Sequence, residues 1–316
     1  MDVLGDLLQR ARVRNAIVRK LIQPPPWSFY LADPEPLTAV AALEANLTIV
    51  LHNAQAHTLG AGDIALIKGG EYTIADSPAT PCQVIVRNGH KYVTGAGDGN
   101  AVVDQMSAPR TFGDDQPSAI TMLHGIYELH GSAGDRLLEL LPAITTVPAG
   151  PRTRPLLELL AAEAARDEPG QDAVLQRFLD LILVIALRSW GAKTGSRPVG
   201  WLGAIADPAI GRALASLHAD PQHGWTTAML ANQVGMSRAA FCARFAGLVG
   251  EPPMAYLIGW RMTLAADKLR NTDATVAAVA REVGYDNAFS FSTAFKRVRG
   301  QSPMNWRRGS GTGEGR

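Results

Sequence analysis

Residues 276–297, VAAVAREVGYDNAFSFSTAFKR, decide the fold of the C-terminal part of this chain. Apolar positions recur at three- and four-residue spacing on both sides of Gly284, which predicts two short helices. Ala280 is small enough to let these helices cross closely, and Gly284 supplies a turn conformation that a side chain would resist. Asn287 can accept a hydrogen bond from the first turn of the second helix. The stretch therefore predicts a helix-turn-helix.

The same plan occurs about fifty residues earlier, in residues 227–245, TAMLANQVGMSRAAFCARF. Here Ala231 takes the place of Ala280, and Gly235 takes that of Gly284. The further matches are Ser237 with Asn287, Phe241 with Phe291, and Phe245 with Phe295. An internal repeat with the same roles in the same order is much stronger evidence than one isolated motif. We therefore predict two helix-turn-helix units.

The whole segment after residue 205 has a helical pattern. Thr226, Ser237, Thr275, Asn287 and Ser302 stand where each can cap the first turn of a helix. The predicted helices are 207–218, 226–233, 237–248, 253–270, 275–282, 287–299 and 303–307. This part of the chain is expected to be all-α.

Charge is distributed unevenly, although the net charge of the 316 residues is only +1. Residues 205–316 hold 13 Lys and Arg against 8 Asp and Glu, whereas residues 1–204 hold 17 against 21. A basic module joined to an acidic one suggests that the C-terminal part alone meets a polyanion. No catalytic triad, paired-acid motif or phosphate loop has a convincing context, and the glycine-rich residues 95–99 are interpreted as a mobile loop. We expect no enzymatic activity and no catalytic residues.

Several motifs together resemble the C-terminal domain of AraC/XylS-type transcription regulators. They are Leu264-Ala265-Ala266 on the connecting helix after Arg261, the turn at 283–286, residues 291–297, and residues 300–303 followed by Trp306-Arg307. The resemblance implies a transcription regulator, either an activator or a repressor, that binds double-stranded DNA and works with RNA polymerase. It also implies two recognition helices in successive major grooves, ~34 Å apart on one DNA face.

The resemblance also assigns the DNA-contacting positions. They are Ser237, Arg238, Ala239, Cys242, Ala243 and Arg244 in the first unit, and Asn287, Ala288, Phe289, Ser290, Ser292, Thr293, Lys296 and Arg297 in the second. The family often places Arg where this chain has Ala243 and Thr293, and these short side chains cannot make the bidentate contact of Arg with guanine. We therefore expect base reading by methyl groups, hydroxyls and DNA shape. Phosphates are expected to be held by Arg238, Arg244, Lys296, Arg297, Arg299 and Arg307.

The N-terminal segment has short apolar runs separated by Gly, Asp, Asn and Pro, which is typical of a small β-barrel or sandwich. Residues 62–73 resemble the second half of a cupin signature, and residues 1–150 resemble the cupin-type sensor domain of some regulators of the same family. Metal-binding cupins usually have Pro where Lys68 stands and a His ligand where Thr73 stands. We therefore expect no metal and no cofactor here, and a small-molecule effector of unknown identity.

Two alternatives remain open. A thiol-based oxidant sensor acting through Cys82 is one, although a lone cysteine in a β-rich core is more often an inert small side chain. A cupin enzyme fused to a DNA-binding module is the other, and it is weakened by the missing ligand positions. The five histidines His52, His57, His90, His124 and His130 lack the short fixed spacing of a metal site.

The predicted fold class is α+β, with four segments. A cupin-like β-barrel covers residues 1–150, and a helical dimerisation segment covers residues 151–191, where apolar positions cover more than one helix face and a homodimer is expected. A polar linker follows at 192–204, and the double helix-turn-helix domain fills residues 205–316.

Nothing in the sequence predicts export or a membrane span. The start, MDVLGDLL, carries acids where a signal peptide has its basic region. The most apolar stretch, residues 178–187, contains Asp180 and is shorter than the ~20 residues that a span needs. The two cysteines, Cys82 and Cys242, stand far apart in sequence. We expect a cytoplasmic protein with no membrane partner.

Overall fold

The computed structural model describes residues 3–11, 14–94, 101–102, 106–113, 118–193 and 201–309. The loop predicted at 95–99 and residues 194–200 of the predicted linker lie outside these ranges. The chain divides into two compact units. The β unit comprises residues 13–129 and 141–190, and the helical unit comprises residues 1–12, 130–140 and 191–316.

Fourteen strands are described in the β unit. They are β1 (Arg14–Gln23), β2 (Ser28–Leu31), β3 (Leu37–Ala42), β4 (Leu47–Leu51), β5 (Ala56–Leu59), β6 (Ile64–Lys68), β7 (Tyr72–Ala75), β8 (Val84–Arg87), β9 (His90–Val93), β10 (Ala101–Val102), β11 (Met106–Ala108), β12 (Thr111–Gly113), β13 (Ile120–Glu128) and β14 (Ile144–Val147).

These strands form two seven-stranded sheets. The first sheet has the order β11-β12-β1-β13-β3-β6-β14, and the second has the order β10-β9-β8-β2-β7-β4-β5. The pairs β1–β12 and β2–β8 are parallel, and the other pairs are antiparallel. Within the described residues the two sheets do not close into one hydrogen-bonded barrel. The β-rich half expected from the sequence is confirmed, as two open sheets.

Side chains from both sheets share one hydrophobic core. Val40 and Met122 from the first sheet and Ile49, Tyr72 and Ile74 from the second are all 2% exposed or less and belong to a single cluster. Alternation along each strand sends every second side chain into this layer.

Two helices cover the outer face of the first sheet, α3 (Thr153–Ala164) and α4 (Gln171–Lys193). The hydroxyl of Tyr127 on β13 donates to the carbonyl oxygen of Leu179 on α4 at 3.0 Å. A Cβ atom at Gly125 would lie 2.6 Å from a methyl group of Leu179. Glycine at this position therefore lets α4 approach the sheet closely.

The helical unit contains ten of the described helices. They are α1 (Val3–Ala11), α2 (Gly131–Leu140), α5 (Trp201–Ala206), α6 (Pro208–Ala219), α7 (Thr227–Gln233), α8 (Arg238–Val249), α9 (Pro253–Asn271), α10 (Val276–Glu282), α11 (Ala288–Arg299) and α12 (Pro303–Gly309). The all-α C-terminal part is confirmed, and the α+β fold class with it.

Two helices of this unit come from the N-terminal half of the chain. α1 and α2, which the sequence analysis placed in the sensor domain, pack against each other and against α6 and α9. Residues 201–204 of the predicted linker are the start of α5. No helix in the described part of the chain combines the length and apolar character needed to cross a bilayer.

Candidate nucleic-acid interface

The two helix-turn-helix units are built on capped helices, as their sequences predict. Thr226 accepts a hydrogen bond from the backbone N–H of Met229 at 3.2 Å, and Thr275 accepts one from Ala278 at 3.1 Å. The recognition helices α8 and α11 are capped in the same way. Ser237 accepts from the N–H of Ala240 at 3.3 Å, and Asn287 accepts from that of Ser290 at 2.8 Å. Each cap satisfies an orphaned donor of the first turn and fixes where the helix begins.

A glycine turn and a small residue set the angle within each unit. Gly235 has a φ of 70° and Gly284 has a φ of 82°, in the left-handed region that glycine adopts without strain. Ala231 and Ala280 are almost fully buried. The predicted turn conformation of the two glycines is confirmed.

Each recognition helix is anchored by two buried phenylalanines. The rings of Phe241 and Phe245 lie 5.7 Å apart, and those of Phe291 and Phe295 lie 5.6 Å apart. All four side chains are fully buried. Because the phenylalanines occupy the inner face, the opposite face of each helix is left to solvent.

Arg261 on the connecting helix α9 links the two units. Its guanidinium donates to the carbonyl oxygens of Pro221 and His223, before the first unit, at 2.7 and 2.9 Å. It also donates to the carbonyl oxygen of Gly284, in the turn of the second unit, at 3.2 Å. One planar group therefore holds both units in a fixed spacing.

The outer faces of α8 and α11 carry the predicted contact residues. Eleven of the fourteen are exposed, Cys242, Ala288 and Ser292 are partly buried, and none is part of the core. The exposed ones are Ser237, Arg238, Ala239, Ala243, Arg244, Asn287, Phe289, Ser290, Thr293, Lys296 and Arg297.

Phe289 stands out within this set. Its side chain is 84% exposed, near the start of α11. Exposing a whole aromatic ring to water forgoes about 2 kcal/mol of burial free energy. A ring placed there on a recognition helix can meet the thymine methyl group in a major groove.

Two hydroxyls predicted to read bases are held by their own helix. Ser292 donates to the carbonyl oxygen of Ala288 at 2.7 Å, and Thr293 donates to that of Phe289 at 3.0 Å. Their oxygen lone pairs stay available as acceptors, and the Thr293 methyl group remains exposed.

The basic side chains expected to hold phosphates fall into two groups. Arg238, Lys296 and Arg297 are exposed and make no ion pair with any residue that the structure describes. Arg299, in contrast, donates to Thr263 at 3.0 Å and packs 5.6 Å from the Trp306 ring, and Arg307 donates to the carbonyl oxygen of Leu269 at 3.2 Å. The two arginines expected to bind phosphates at the end of the domain thus have internal partners.

Arg244 also has an internal partner. Its guanidinium donates twice to Oδ2 of Asp207, at 2.9 and 2.6 Å. Asp207 in turn caps α6 by accepting from the N–H groups of Ala209 and Ile210. Burial alone raises the pKa of Asp207, but these hydrogen bonds outweigh it and lower that pKa below its usual value. No pattern in the sequence indicates this pairing.

A buried polar cluster lies between α1, α6 and α9. The Nδ1 atom of His218 is 3.0 Å from Oδ2 of Asp6, and its Nε2 atom is 2.8 Å from the Tyr256 hydroxyl. All three residues are buried. Arg10 adds a hydrogen bond to Asp6 at 2.7 Å and lies 5.7 Å from the Trp260 ring.

The pKa shifts of this cluster agree with one arrangement of protons. Burial lowers the pKa of His218 and outweighs the opposing effect of Asp6. Burial also raises the pKa of Asp6, but hydrogen bonds from His218 and Arg10 outweigh it, so that this pKa is lowered. A neutral His218 that donates from Nδ1 to the Asp6 carboxylate and accepts at Nε2 from Tyr256 satisfies all three groups.

The helix α2 is tied to the same unit by polar contacts. The backbone N–H of Ser132 donates to Asp267 on α9 at 2.6 Å. Arg136 lies 4.9 Å from the Tyr256 ring and 3.5 Å from Glu251. Sequence reasoning missed these contacts because the partners are more than a hundred residues apart.

The β unit has a small cavity between its two sheets. The lining includes Arg19, Lys91 and His124, together with apolar side chains such as Phe29 and Met122. Burial, with a smaller effect of Arg19, lowers the pKa of His124 to about 4. The imidazole is therefore neutral near neutral pH.

The histidines and Cys82 do not gather around one point. His52 and His90 are exposed, and Nδ1 of His52 lies 3.4 Å from Glu71. Cys82 is exposed and donates to the carbonyl oxygen of Val84 at 3.5 Å. Within the described residues, no three His, Cys, Asp or Glu side chains are grouped so that they could hold a metal ion.

Comparison with known proteins gives two family matches. The model of the Cupin family matches residues 2–192, and the model of the Helix-turn-helix domain family matches residues 230–309. An AraC-like transcription regulator of Streptomyces antibioticus is 31% identical over 98% of this chain and 99% of its own. A second one, from Streptomyces lividans, is 30% identical over 98% of both chains. The HTH-type transcriptional regulator AlkR of Acinetobacter baylyi is 29% identical over 90% of this chain and 92% of its own.

Proposed function

This chain belongs to the AraC-like transcription regulators and is a DNA-binding protein, and we propose that it lays α8 and α11 into successive major grooves of its operator. The observation that carries the proposal is the pair of capped recognition helices, whose predicted contact residues lie outward while their phenylalanines are buried. Arg261 keeps the two helices at one spacing, as binding to one DNA face requires.

Phosphates are held by the exposed cations of the two helices. Arg238 lies at the start of α8, and Lys296 and Arg297 lie in the last turns of α11. Each phosphate contact releases counterions, so binding weakens steeply as salt is added. The ion pair of Arg244 with Asp207 stabilises the first helix-turn-helix unit. A direct contact of Arg244 with a phosphate would require this ion pair to open.

Bases are read mainly by apolar groups. Phe289, Ala239 and Ala243 present carbon atoms to the groove, and Thr293 adds a methyl group. Thymine carries the only methyl group in the major groove, so these residues favour A·T pairs at their positions. Ser237, Asn287 and Ser290 face the groove at the helix starts and can bond phosphate or base edges.

The β unit senses a small-molecule effector. Two strands that line its cavity, β1 with Arg19 and β13 with His124, are joined directly in the chain to helices of the helical unit. β1 follows α1, and β13 precedes α2. A ligand that shifts either strand therefore acts on helices that pack against α6 and α9, which gives the effector a covalent route to the DNA-binding unit.

A homodimer forms through α4. Val174 and Leu181 are 40% and 47% exposed on this helix, and Phe178 and Ile185 are half-buried. These four positions are spaced by four, three and four residues, which is the spacing of a coiled-coil seam. Leu181→Glu should turn the dimer into a monomer in sedimentation analysis, while Ala173→Glu, on another face of the same helix, should leave it dimeric.

The same proposal places the protein in the cytoplasm, acting on transcription through RNA polymerase and without a catalytic activity of its own. What supports it is that the similar full-length proteins carry the names of transcription regulators.

A gel-shift series in rising salt, with DNA from the region flanking the gene, tests the proposal. The wild type should bind with a steep negative salt dependence, and replacing Lys296 and Arg297 with Ala should weaken binding roughly tenfold or more at one salt concentration. Arg152→Ala removes an exposed arginine of the β unit and should change nothing. Salt-independent binding, or equal loss in the control, would contradict the proposed interface.

A further inference from the structure

A groove lies between the two helix-turn-helix units. Its walls come from the loop before α7, from α9 and α10, and from the turn of the second unit. The lining residues are Gln222, Gly224, Trp225, Arg261, Arg281, Gly284, Tyr285 and Asp286. The groove has a volume of about 630 Å³, which is more than one phosphate group occupies. None of these residues belongs to the contact set predicted on α8 and α11, so that set leaves the groove without a role.

The groove ends where helices of both units begin. Trp225 directly precedes Thr226, the cap of α7, and Asp286 directly precedes Asn287, the cap of α11. In a helix-turn-helix, the first helix crosses the DNA backbone and the start of the second helix meets base edges in the major groove. The groove therefore lies on the side of the unit that the proposed function turns toward DNA.

The position between the units decides which part of a duplex the groove meets. Two successive major grooves on one DNA face are separated by a minor groove, with a phosphate strand on each side of it. The protein surface between two recognition helices therefore faces these strands. Arg261 holds the walls at one spacing through the carbonyl oxygens of Pro221, His223 and Gly284. The groove is thus preformed for a strand that crosses it.

Cations outnumber carboxylates in the groove. Arg261 and Arg281 are its two cations, and Asp286 is the one carboxylate of the described lining. Arg261 uses its hydrogen bonds to hold the walls. Arg281 lies in the last turn of α10, is exposed, and makes no side-chain hydrogen bond or ion pair with any residue that the structure describes. The groove therefore attracts an anion, and Arg281 has donors to offer it.

Tyr285 adds a neutral donor beside these charges. Its ring lies 5.7 Å from the Phe291 ring and 5.8 Å from the guanidinium carbon of Arg261. Its hydroxyl makes no hydrogen bond with any residue in the described part of the chain. Burial raises the pKa of Tyr285 above its ordinary value of 10. The hydroxyl therefore keeps its proton at neutral pH and can donate it to an oxyanion.

We propose that this groove binds one phosphate of the DNA strand that runs between the two major grooves, with Arg281 as the ionic contact and Tyr285 as a hydrogen-bond donor. The inference rests on the proposed function, because it adds a third point of contact to the same interface. A guanidinium binds a phosphate through two parallel hydrogen bonds, which gives orientation as well as affinity. Such a contact fixes the position of the duplex between α8 and α11.

A cycle that pairs a protein variant with a modified DNA tests the proposal. Footprinting of the full-length protein on DNA flanking the gene first locates the two protected grooves. Each phosphate between them is then replaced singly by an uncharged methylphosphonate. At one position the replacement should weaken wild-type binding roughly tenfold. The same replacement should have no further effect on Arg281→Ala, because the two partners of one contact can be lost only once.

Salt dependence separates an ionic contact from a neutral one. Arg281→Ala should reduce the slope of log affinity against log salt concentration by about 0.9, the contribution of one phosphate. Tyr285→Phe keeps the ring and removes the neutral donor, so it should weaken binding roughly two- to tenfold with an unchanged slope. Asp286→Asn removes the carboxylate from the groove and should strengthen binding.

Arg212→Ala is the matched control. Arg212 is an exposed arginine on α6 of the same unit, where it donates to the carbonyl oxygen of Pro208, and it is not part of the groove. This variant removes the same charge and should keep the wild-type slope and the wild-type response to each methylphosphonate. Urea unfolding shows whether each variant is folded, and Arg281→Gln is a second variant at the test position.

Two outcomes would overturn the proposal while leaving the two recognition helices in place. One is an unchanged salt slope for folded Arg281→Ala, and the other is a set of methylphosphonate losses that add fully to the loss from Arg281→Ala at every position. A wild type that binds no DNA would instead remove the proposed function, and this contact with it.

Discussion

The first helix-turn-helix unit and the second share one frame but carry different surfaces. Both have a capped recognition helix, a glycine turn, a small residue at the crossing and two buried phenylalanines. The turn of the second unit is one residue longer, with Tyr285-Asp286 where the first has Met236 alone before the cap. The two units therefore share the residues that the fold requires and differ in the residues that face outward.

The outward differences are chemical. The long basic residue near the middle of α8, Arg244, is bound to Asp207, and its neighbours Ala239 and Ala243 are short. On α11, the Phe289 side chain is 84% exposed, and Lys296 and Arg297 are without an ion pair among the described residues. We infer that α11 contributes more side-chain contacts to DNA, while the first unit is more firmly tied to the rest of its bundle.

The turn glycines should give the largest difference between the units. Both have positive φ, so alanine costs about 1 kcal/mol of stability at either one. A Cβ at Gly284 would also lie 2.6 Å from the carbonyl oxygen of Gln222, whereas nothing lies within 4 Å of one at Gly235. Gly284→Ala should therefore cost about 3 kcal/mol in urea unfolding, and Gly235→Ala about 1 kcal/mol. Equal costs would show that the close approach at Gly284 is unimportant.

Acid should lower the stability of the helical unit through His218, which lies in the buried cluster between α1, α6 and α9. Its folded pKa is lowered from the ordinary value of 6.5, so below pH 6.5 the unfolded chain takes up the proton first and stability falls as the pH falls. The lowered pKa of Asp6 adds stability that is present above 3.8 and is lost as the pH falls through the folded value.

The unfolding free energy of His218→Gln, measured from pH 7 to pH 5, should therefore depend less on pH than that of the wild type. Acid effects of His124 in the β unit are common to both proteins and cancel in the difference. His223→Gln, at an exposed histidine of the same unit, should follow the wild-type curve. Parallel curves for wild type and His218→Gln would refute a neutral buried His218.

Phe289→Ala should reduce DNA affinity about tenfold without lowering stability, because the ring is exposed in the free protein and we propose that it packs on DNA. The loss should shrink when the base pair that Phe289 faces is changed from T·A to C·G, since that replacement removes the thymine methyl group. Competition gel shifts with the two operators measure this loss of affinity. Met229→Ala removes another exposed apolar side chain, on α7, and is the control.

The smallest expected effect is the difference in the salt dependence of DNA binding between the Arg297→Ala and Arg244→Ala variants. Arg297→Ala should reduce the slope of log affinity against log salt concentration by the amount that about one phosphate contact contributes. Arg244→Ala should leave that slope unchanged and lower stability by up to about 1 kcal/mol, because it removes a half-exposed ion pair with Asp207. A reduced slope for Arg244→Ala would mean that the pair opens on DNA.

Local signals in the sequence predicted the helical frame well. Helix caps such as Ser237 and Asn287 and turn residues such as Gly235 interact with residues only a few positions away. A short stretch of sequence therefore contains both partners of each of these interactions. The helices α7, α8, α10 and α11 begin within one residue of the predicted starts.

Contacts between distant residues could not be predicted in the same way. Asp6 and His218 stand 212 positions apart, and neither has a neighbour in sequence that marks the pairing. The same holds for Ser132 with Asp267 and for Arg244 with Asp207. A basic residue on a recognition helix has the sequence pattern of a phosphate contact whether it is free or paired, so only the structure separates Arg297 from Arg244. The boundaries at residues 150, 191 and 204 stay predictions.

Hydroxyl-radical footprinting of the full-length protein on its operator tests the central claim most directly. Two protected patches on one face of the duplex, roughly one helical turn apart for each protomer, are predicted, and inserting about half a turn of DNA between the two grooves should abolish binding because Arg261 fixes the spacing. A single protected groove, or a footprint that tolerates the insertion, would contradict a reader made of two linked recognition helices.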